Sequence, residues 1–360
     1  MTGARGPTNI PVDTQRGEPI FLSNVYKSET KPADTLALPQ EGLMQKFTRH
    51  VPASIQAWRI ACALAAAVCL LAGSTIAAQS RDQLLITPAW LAQHLGDANL
   101  VIFHVGPKPD YDAKHIPGAR YVAYNTELAV RATDPAPGLS LQMLPPEVLR
   151  ERLAGLGVSD RSRVVVCFSS SGWVPAATRV METLRYAGFA DASLLDGGLP
   201  AWEKGGHPVT SEVPPAKSGQ LSALKTAPVV VDADFVKSHL QTAGFAIVDA
   251  RNTAFYDGSR TGGQPPQSHK TGHILGAVSV PFDSLFDASG QYKSQDDLSA
   301  IFTNAGVKSG DTVIAYCHIG QQATAVVFAA RLLGLKVMLY DGSFEDWSQR
   351  DLPVARSGGF

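Results

Sequence analysis

Four cysteines in 360 residues are too few for a disulfide scaffold, and none sits at zinc-finger spacing. Net charge is nearly absent as well: 31 Lys and Arg against 32 Asp and Glu give −1. Without a basic excess there is no broad cationic field, which argues against nucleic acid as a partner. Charged residues make up only 18% and hydrophobic ones 45%. That is enough apolar side chain for a sizeable core. At roughly 150 residues per domain, the length corresponds to about two domains and a remainder.

The remainder lies at the front. Residues 1–43 have no sustained apolar period and read as a disordered extension. From Ile60 to Ser80 no residue is charged, Lys46, Arg49 and Arg59 precede the run, and small residues follow near Ala77 and Ala78. That order is the layout of a secretory signal peptide. Its strongly apolar part, Ile60 to Leu71, is shorter than the ~20 residues of a membrane span. Counted from Met44 the segment has the length of an ordinary signal. Met44 is therefore the expected start, 44–78 the expected signal peptide, and the mature chain is expected to be periplasmic or secreted. The alternative is a membrane anchor formed by residues 60–80. Cleavage near Ala78 removes Cys62 and Cys69 and leaves Cys167 and Cys317.

The rest of the chain repeats itself. Residues 84–122 and 229–280 each carry a helix-period stretch, a short apolar strand (Leu100–Phe103; Ala246–Val248), a loop, and His-Ile-x-Gly-Ala at His115 and His273. Amphipathic helices follow at Pro146–Gly157 and Gln295–Gly306, each ending in a glycine suited to a left-handed cap. Then come strands Arg163–Phe168 and Thr312–Tyr316, a Ser/Gly turn, and helices Ala176–Tyr186 and Ala323–Leu333. Each half closes on a strand, Asp-Gly and a tryptophan, Trp202 or Trp347. Apolar strands alternating with helices indicate parallel sheets covered on both faces. The expected fold is α/β, with two similar domains over 80–208 and 226–360 joined by a linker at 209–225.

Ligands of open parallel sheets bind beyond the carboxyl ends of the strands. At the end of Thr312–Tyr316 stand Cys317, His318, Ile319, Gly320, Gln321 and Gln322, then a helix. The unpaired amides of a first helical turn favour a thiolate over a thiol of ordinary pKa ~8.5, and an anion beside it. Gly320 lets the loop curl so that successive N–H groups point inward. Cys167 lies inside its strand and reads as core. Aligning Gly172 with Gly320 sets Ser169 opposite Cys317, so the first half lacks the nucleophile. Asp249, Arg251, His115, His273, Trp202 and Trp347 read as structural. Trp173 reads either as a cover for the cleft or as a plain core or interface aromatic. His318 is expected to titrate near neutral pH and to assist anion binding when protonated.

These residues resemble the tandem-domain rhodaneses, the thiosulfate and 3-mercaptopyruvate sulfurtransferases, in an exported bacterial form. The resemblance rests on HIPGA at 115–119, GHILGA at 272–277, VDAR at 248–251, YCHIGQQA at 316–323 and the two Asp-Gly endings, and covers about 84–355. It implies two rhodanese-like domains, the first inactive and the second carrying a persulfide on Cys317. It implies substrate binding by His318, Ile319, Gly320, Gln321 and Gln322, with Arg251 as a further candidate. No metal or organic cofactor is implied. The implied partners are a small anionic sulfur donor and a cyanide or thiol acceptor, with the chain expected to be a monomer. The loop departs from the family in having one basic residue after the cysteine, where thiosulfate-specific members have two. Phe255 and Tyr256 stand where an arginine grips the donor, and Arg260 is the candidate substitute. Thiosulfate is the expected donor; 3-mercaptopyruvate and a persulfide carrier serving a partner protein are the alternatives. A cysteine phosphatase would want an arginine where Ala323 stands, and a dithiol oxidoreductase a cysteine at Gly320.

Overall fold

Two five-stranded parallel sheets carry the chain, and the second retraces the first strand for strand. The structure is a computed structural model that describes residues 80–130, 138–169, 171, 173–264 and 267–357. The expected extension 1–43, the expected signal segment 44–78 with Cys62 and Cys69, and Gly172 lie outside these residues. Among the described residues no helix is long and apolar enough to cross a membrane.

The first sheet uses β1 (Leu85–Ile86), β2 (Leu100–Val105), β3 (Arg120–Tyr121), β4 (Arg163–Phe168) and β5 (Ser193–Leu195) in the order β1-β5-β4-β2-β3. The second uses β6 (Val230–Val231), β7 (Phe245–Asp249), β8 (Val278–Ser279), β9 (Thr312–Tyr316) and β10 (Lys336–Tyr340) in the order β6-β10-β9-β7-β8. The central strands β4 and β9 are almost wholly buried, because helices cover both faces. Helices α1 (Pro146–Gly155) and α3 (Gln295–Ala305) precede them. The glycines that follow, Gly157 and Gly306, sit at φ +90° and +100°, the left-handed caps the sequence called for.

The repeated motifs are structural in both halves. His115 stacks on Tyr111 at 3.9 Å and donates through Nδ1 to its carbonyl at 2.7 Å. His273 does the same with Tyr256, at 3.8 and 2.7 Å. Trp202 and Trp347 are fully buried, and their indole N–H groups donate to the carbonyls of Pro208 and Pro353, six residues on in each case. Cys167 is fully buried, and burial pushes its thiol far above the usual range, so it is a core residue.

The two halves share one apolar core. Helix α2 (Val174–Tyr186) follows β4, helix α4 (Gln322–Leu332) follows β9, and the two pack against each other. Ala176, Val180 and Leu184 belong to the same buried cluster as Ala323, Val326 and Ala330. Their hydroxyls meet as well, Thr178 to Thr324 at 2.8 Å. A fifth helix, α5 (Ser343–Gln349), follows β10. The linker runs along the first half, where Gly219 N–H donates to the Ala154 carbonyl at 2.7 Å and Ala227 N–H to that of Tyr186 at 2.9 Å.

Candidate active site

Strand β9 ends at Tyr316 and helix α4 begins at Gln322, so Cys317 stands at the carboxyl edge of the sheet facing a helix start. Its thiol is free and its side chain only 1% exposed. The start of α5 pins the backbone around it. Cys317 N–H donates to Ser343 Oγ at 3.1 Å, the Cys317 carbonyl accepts from Phe344 N–H at 3.0 Å, and the His318 carbonyl from Glu345 N–H at 2.9 Å. Ser343 holds φ +51°, a left-handed value costing a non-glycine residue on the order of 1 kcal/mol. The first half uses Gly198 there, at φ +57°. Ser343 is a site residue that motif reading passed over, although the change from Asp-Gly-Gly to Asp-Gly-Ser was its signal.

Beyond Cys317 the loop closes into an anion cradle. Gly320 sits at φ +78°, and a Cβ there would lie 2.6 Å from the Asp341 carbonyl oxygen. Among the described residues, the backbone N–H groups of His318, Ile319, Gly320, Gln321, Gln322 and Ala323 donate to no group of the chain. Gln321, at the helix N-cap, supplies no side-chain cap. Six successive unsatisfied donors at a curled helix start, beside a buried sulfur, form a site for negative charge.

The wall behind the cysteine is an ion pair. Arg251 is 1% exposed and forks onto Asp249, with Nε–Oδ1 at 3.0 Å and Nη2–Oδ2 at 2.6 Å. It also donates to the Gly272 carbonyl at 2.7 Å and lies over the Phe344 ring at 4.0 Å. Asp249 further accepts from Tyr316 Oη at 2.6 Å, and that hydroxyl accepts from Ile274 N–H at 3.0 Å. Burial opposes the Arg251 charge, but Asp249, Tyr316 and Cys317 outweigh it and hold the guanidinium above its usual range. These hydrogen bonds hold Arg251 against the strand-end loop, and its positive charge lies within electrostatic reach of Cys317, His318 and His269.

His269 comes from residues 257–271, a stretch the second half has between its VDAR and GHILGA motifs and the first half lacks. The short hairpin of Gly263–Gln264 and Gln267–Ser268 carries Gly262 against His318; a Cβ at 262 would lie 2.6 Å from that ring. The rings of His269 and His318 are 5.6 Å apart, and Phe255 meets His318 edge-on at 4.5 Å. Arg260 lies over the Phe255 ring at 4.9 Å and within electrostatic reach of His318. The expectation that His318 titrates near neutral pH is corrected. Burial first, then the charges of Arg251 and its neighbours, lower it to about 4, so its ring is neutral at pH 7. His269 falls to about 4 by burial and then by Arg251.

The first half is corrected by one residue. Sheet register pairs His104 with Cys167 and Tyr121, just as Asp249 pairs with Tyr316 and Ser279. Cys167 therefore answers Tyr316, and Phe168, not Ser169, stands opposite Cys317. Helix α2 starts seven residues after Cys167 and α4 six residues after its register equivalent Tyr316, and that one-residue offset is what misled the glycine-to-glycine alignment. Ser169 donates instead to Asp110 at 2.8 Å. Trp173 is 43% exposed and meets Phe282 of the second half edge-on at 5.5 Å, so it is a boundary aromatic and not a core one.

The model of the rhodanese-like domain matches the chain twice, over residues 87–205 and 232–350. The chain belongs to the rhodanese family. Among its relatives, the thiosulfate sulfurtransferase of Rattus norvegicus is 32% identical over 254 residues, 69% of this chain and 82% of that one. The 3-mercaptopyruvate sulfurtransferase of Escherichia coli (strain K12) is 31% identical, covering 74% and 95%. The sulfur carrier protein TtuD of Thermus thermophilus is 27% identical, covering 77% and 98%.

Two buried histidines and one half-buried one give this rhodanese a pH signature. His104, His269 and His318 are all held at about 4, against an ordinary 6.5. Between those values the unfolded chain binds protons that the folded one refuses. Stability is therefore nearly complete above about pH 7.5, begins to fall as the pH passes 6.5 and drops further toward 4, by up to about 1.4 kcal/mol per pH unit per histidine. Urea unfolding at pH 8.5, 7.5 and 5.5 is expected to show a midpoint that holds between the first two and declines at the third. A midpoint level down to pH 5 would contradict these environments.

Proposed function

We propose that this rhodanese transfers the sulfane sulfur of thiosulfate to cyanide or a thiol through a persulfide on Cys317. One observation carries the reading: a buried free thiol at a strand end, faced by six unsatisfied amides at a helix start and backed by Arg251. The Cys317 thiolate attacks the outer sulfur of −S–SO3−. A new S–S bond forms, the S–S bond of thiosulfate breaks, and its electron pair leaves with sulfite. Cyanide then attacks the outer sulfur of the persulfide, thiocyanate departs, and the electron pair returns to Cys317 as thiolate. Negative charge stays on sulfur at each stage, where preorganised amides stabilise it.

Thiosulfate is favoured over 3-mercaptopyruvate by charge. The donor's sulfonate suits the amide cradle and the cations Arg251 and Arg260, and the rat relative is named for that substrate. A second reading has one observation in its favour, the likeness to a sulfur carrier protein: Cys317 would hand its persulfide to a partner protein. Thiocyanate formation from cyanide, with thiosulfate and 3-mercaptopyruvate run side by side, decides among these. Faster turnover with thiosulfate is the expected outcome. Turnover with 3-mercaptopyruvate alone overturns the donor, and turnover with neither in folded protein favours the carrier.

A further inference from the structure

The second half holds the nucleophile, yet its loop is not held by the second half alone. Arg179, on α2 of the first half, is 1% exposed and reaches across the boundary. Its Nη1 donates to the Gly320 carbonyl at 3.3 Å and to Asp341 Oδ1 at 2.5 Å, and its Nη2 donates to the Leu141 carbonyl. Asp341 is held in turn by Met143 N–H at 2.7 Å. There is no slack between these groups, since a Cβ at Gly320 would lie 3.2 Å from Arg179 Nη1. Two more first-half residues grip the following positions. Tyr124 Oη accepts from Gln321 Nε2 at 2.5 Å, and Thr178 bonds Thr324, whose hydroxyl donates to the Gln321 carbonyl at 2.6 Å.

We propose that Arg179 is a positioning residue for the chemistry at Cys317, setting the Gly320–Gln321 peptide so that the Gln321 N–H serves the anion cradle. In a planar trans peptide the carbonyl and the following N–H point in opposite directions. Holding the Gly320 oxygen toward the first half turns the Gln321 N–H away from it, where no group of the described residues accepts it. The peptide could otherwise flip at Gly320, the loop's conformationally freest residue, and present an oxygen to the transferred sulfur. A buried Arg–Asp pair is weak support for stability, because desolvation offsets its attraction. Its consequence here is orientation. On this account the half without a nucleophile is retained because the catalytic loop is incomplete without it. The inference rests on the sulfurtransferase reading only for the identity of the anion.

The test compares two alkylating agents of similar size, anionic iodoacetate and neutral iodoacetamide, at Cys317 in the full chain, with labelled peptides identified by mass. An intact cradle favours the anion, whereas simple loosening speeds both reagents alike. In the double variant Arg179→Met, Asp341→Asn, which strands neither charge, the iodoacetate-to-iodoacetamide rate ratio is expected to fall about tenfold, less than the ~10²–10³ that deleting a preorganised donor costs, because the N–H is freed to turn and not removed. Arg179→Lys keeps the charge but replaces the fork by a single ammonium, so a fall of about threefold is expected. A folded double variant with the parental ratio overturns the proposal. So does a parental ratio in Arg179→Lys, which would show that charge alone matters; that variant decides if the double one does not fold. Thiosulfate turnover should lose kcat with KM little changed. If the parent turns over neither donor, the sulfurtransferase reading fails while the alkylation ratio still judges Arg179.

Discussion

Replacing Cys317 by serine is expected to abolish thiocyanate formation with either donor, a loss of at least about 10³-fold. A serine hydroxyl is nearly isosteric but stays protonated at neutral pH, and the loop supplies no efficient base for it. The half-buried His318 is neutral, yet its value of about 4 makes it a poor base. The fold should survive, because Cys317 is held through its backbone, by Ser343, Phe344 and the strand, and not through its sulfur. An unchanged urea midpoint beside lost turnover is therefore the expected pair of results. Residual turnover above a few per cent would place the chemistry elsewhere. Cys167 offers no substitute: it lies inside β4 with its thiol fully buried.

The largest expected effect on stability comes from the wall behind that cysteine. Asp249→Ala removes the acceptor for Arg251 N–H, Nε and Nη2 and for Tyr316 Oη, and leaves a buried guanidinium whose remaining hydrogen-bond acceptor among the described residues is the Gly272 carbonyl. Breaking one side of a buried pair costs about 3–5 kcal/mol. The damage would reach activity too, since Tyr316 directly precedes Cys317 and its hydroxyl ties β9 to Ile274. Replacing both partners, as Asp249→Leu with Arg251→Met, should cost clearly less than the sum of the single changes, because neither charge is then stranded. Urea unfolding of the two single variants and the double one measures this. Additive losses would show that the pair does not act as a unit.

Much of this architecture was legible in order along the chain. The duplication, the parallel sheets, the strand ending at Tyr316 and the left-handed caps at Gly157 and Gly306 follow from periodicity and glycine placement, which are local properties. The recurrence of His115 with His273 and of Trp202 with Trp347, in one half with a nucleophile and one without, marked them as structural before any contact was known. Cys317 was singled out by its frame: a strand, a curled loop and a helix start are a local sequence pattern, and their partial charges follow from backbone geometry.

What the tertiary structure decided is whatever depends on distance across the chain. Register between strands, not the spacing of two glycines, showed Phe168 opposite Cys317, because a one-residue insertion in a turn leaves the sheet pairing intact. The charge state of His318 turned on burial, on Arg251 at the end of a neighbouring strand and on an insert carrying His269 and Arg260, so its ring type alone gave the wrong titration. Ser343, His269 and Arg179 reach the site from α5, a hairpin and the other half. By itself the sequence determined a duplicated α/β frame with one cysteine set between a strand end and a helix start. Only folding determined which distant side chains hold its loop open to an anion, since hydrogen bonding and desolvation act through space and not along the chain.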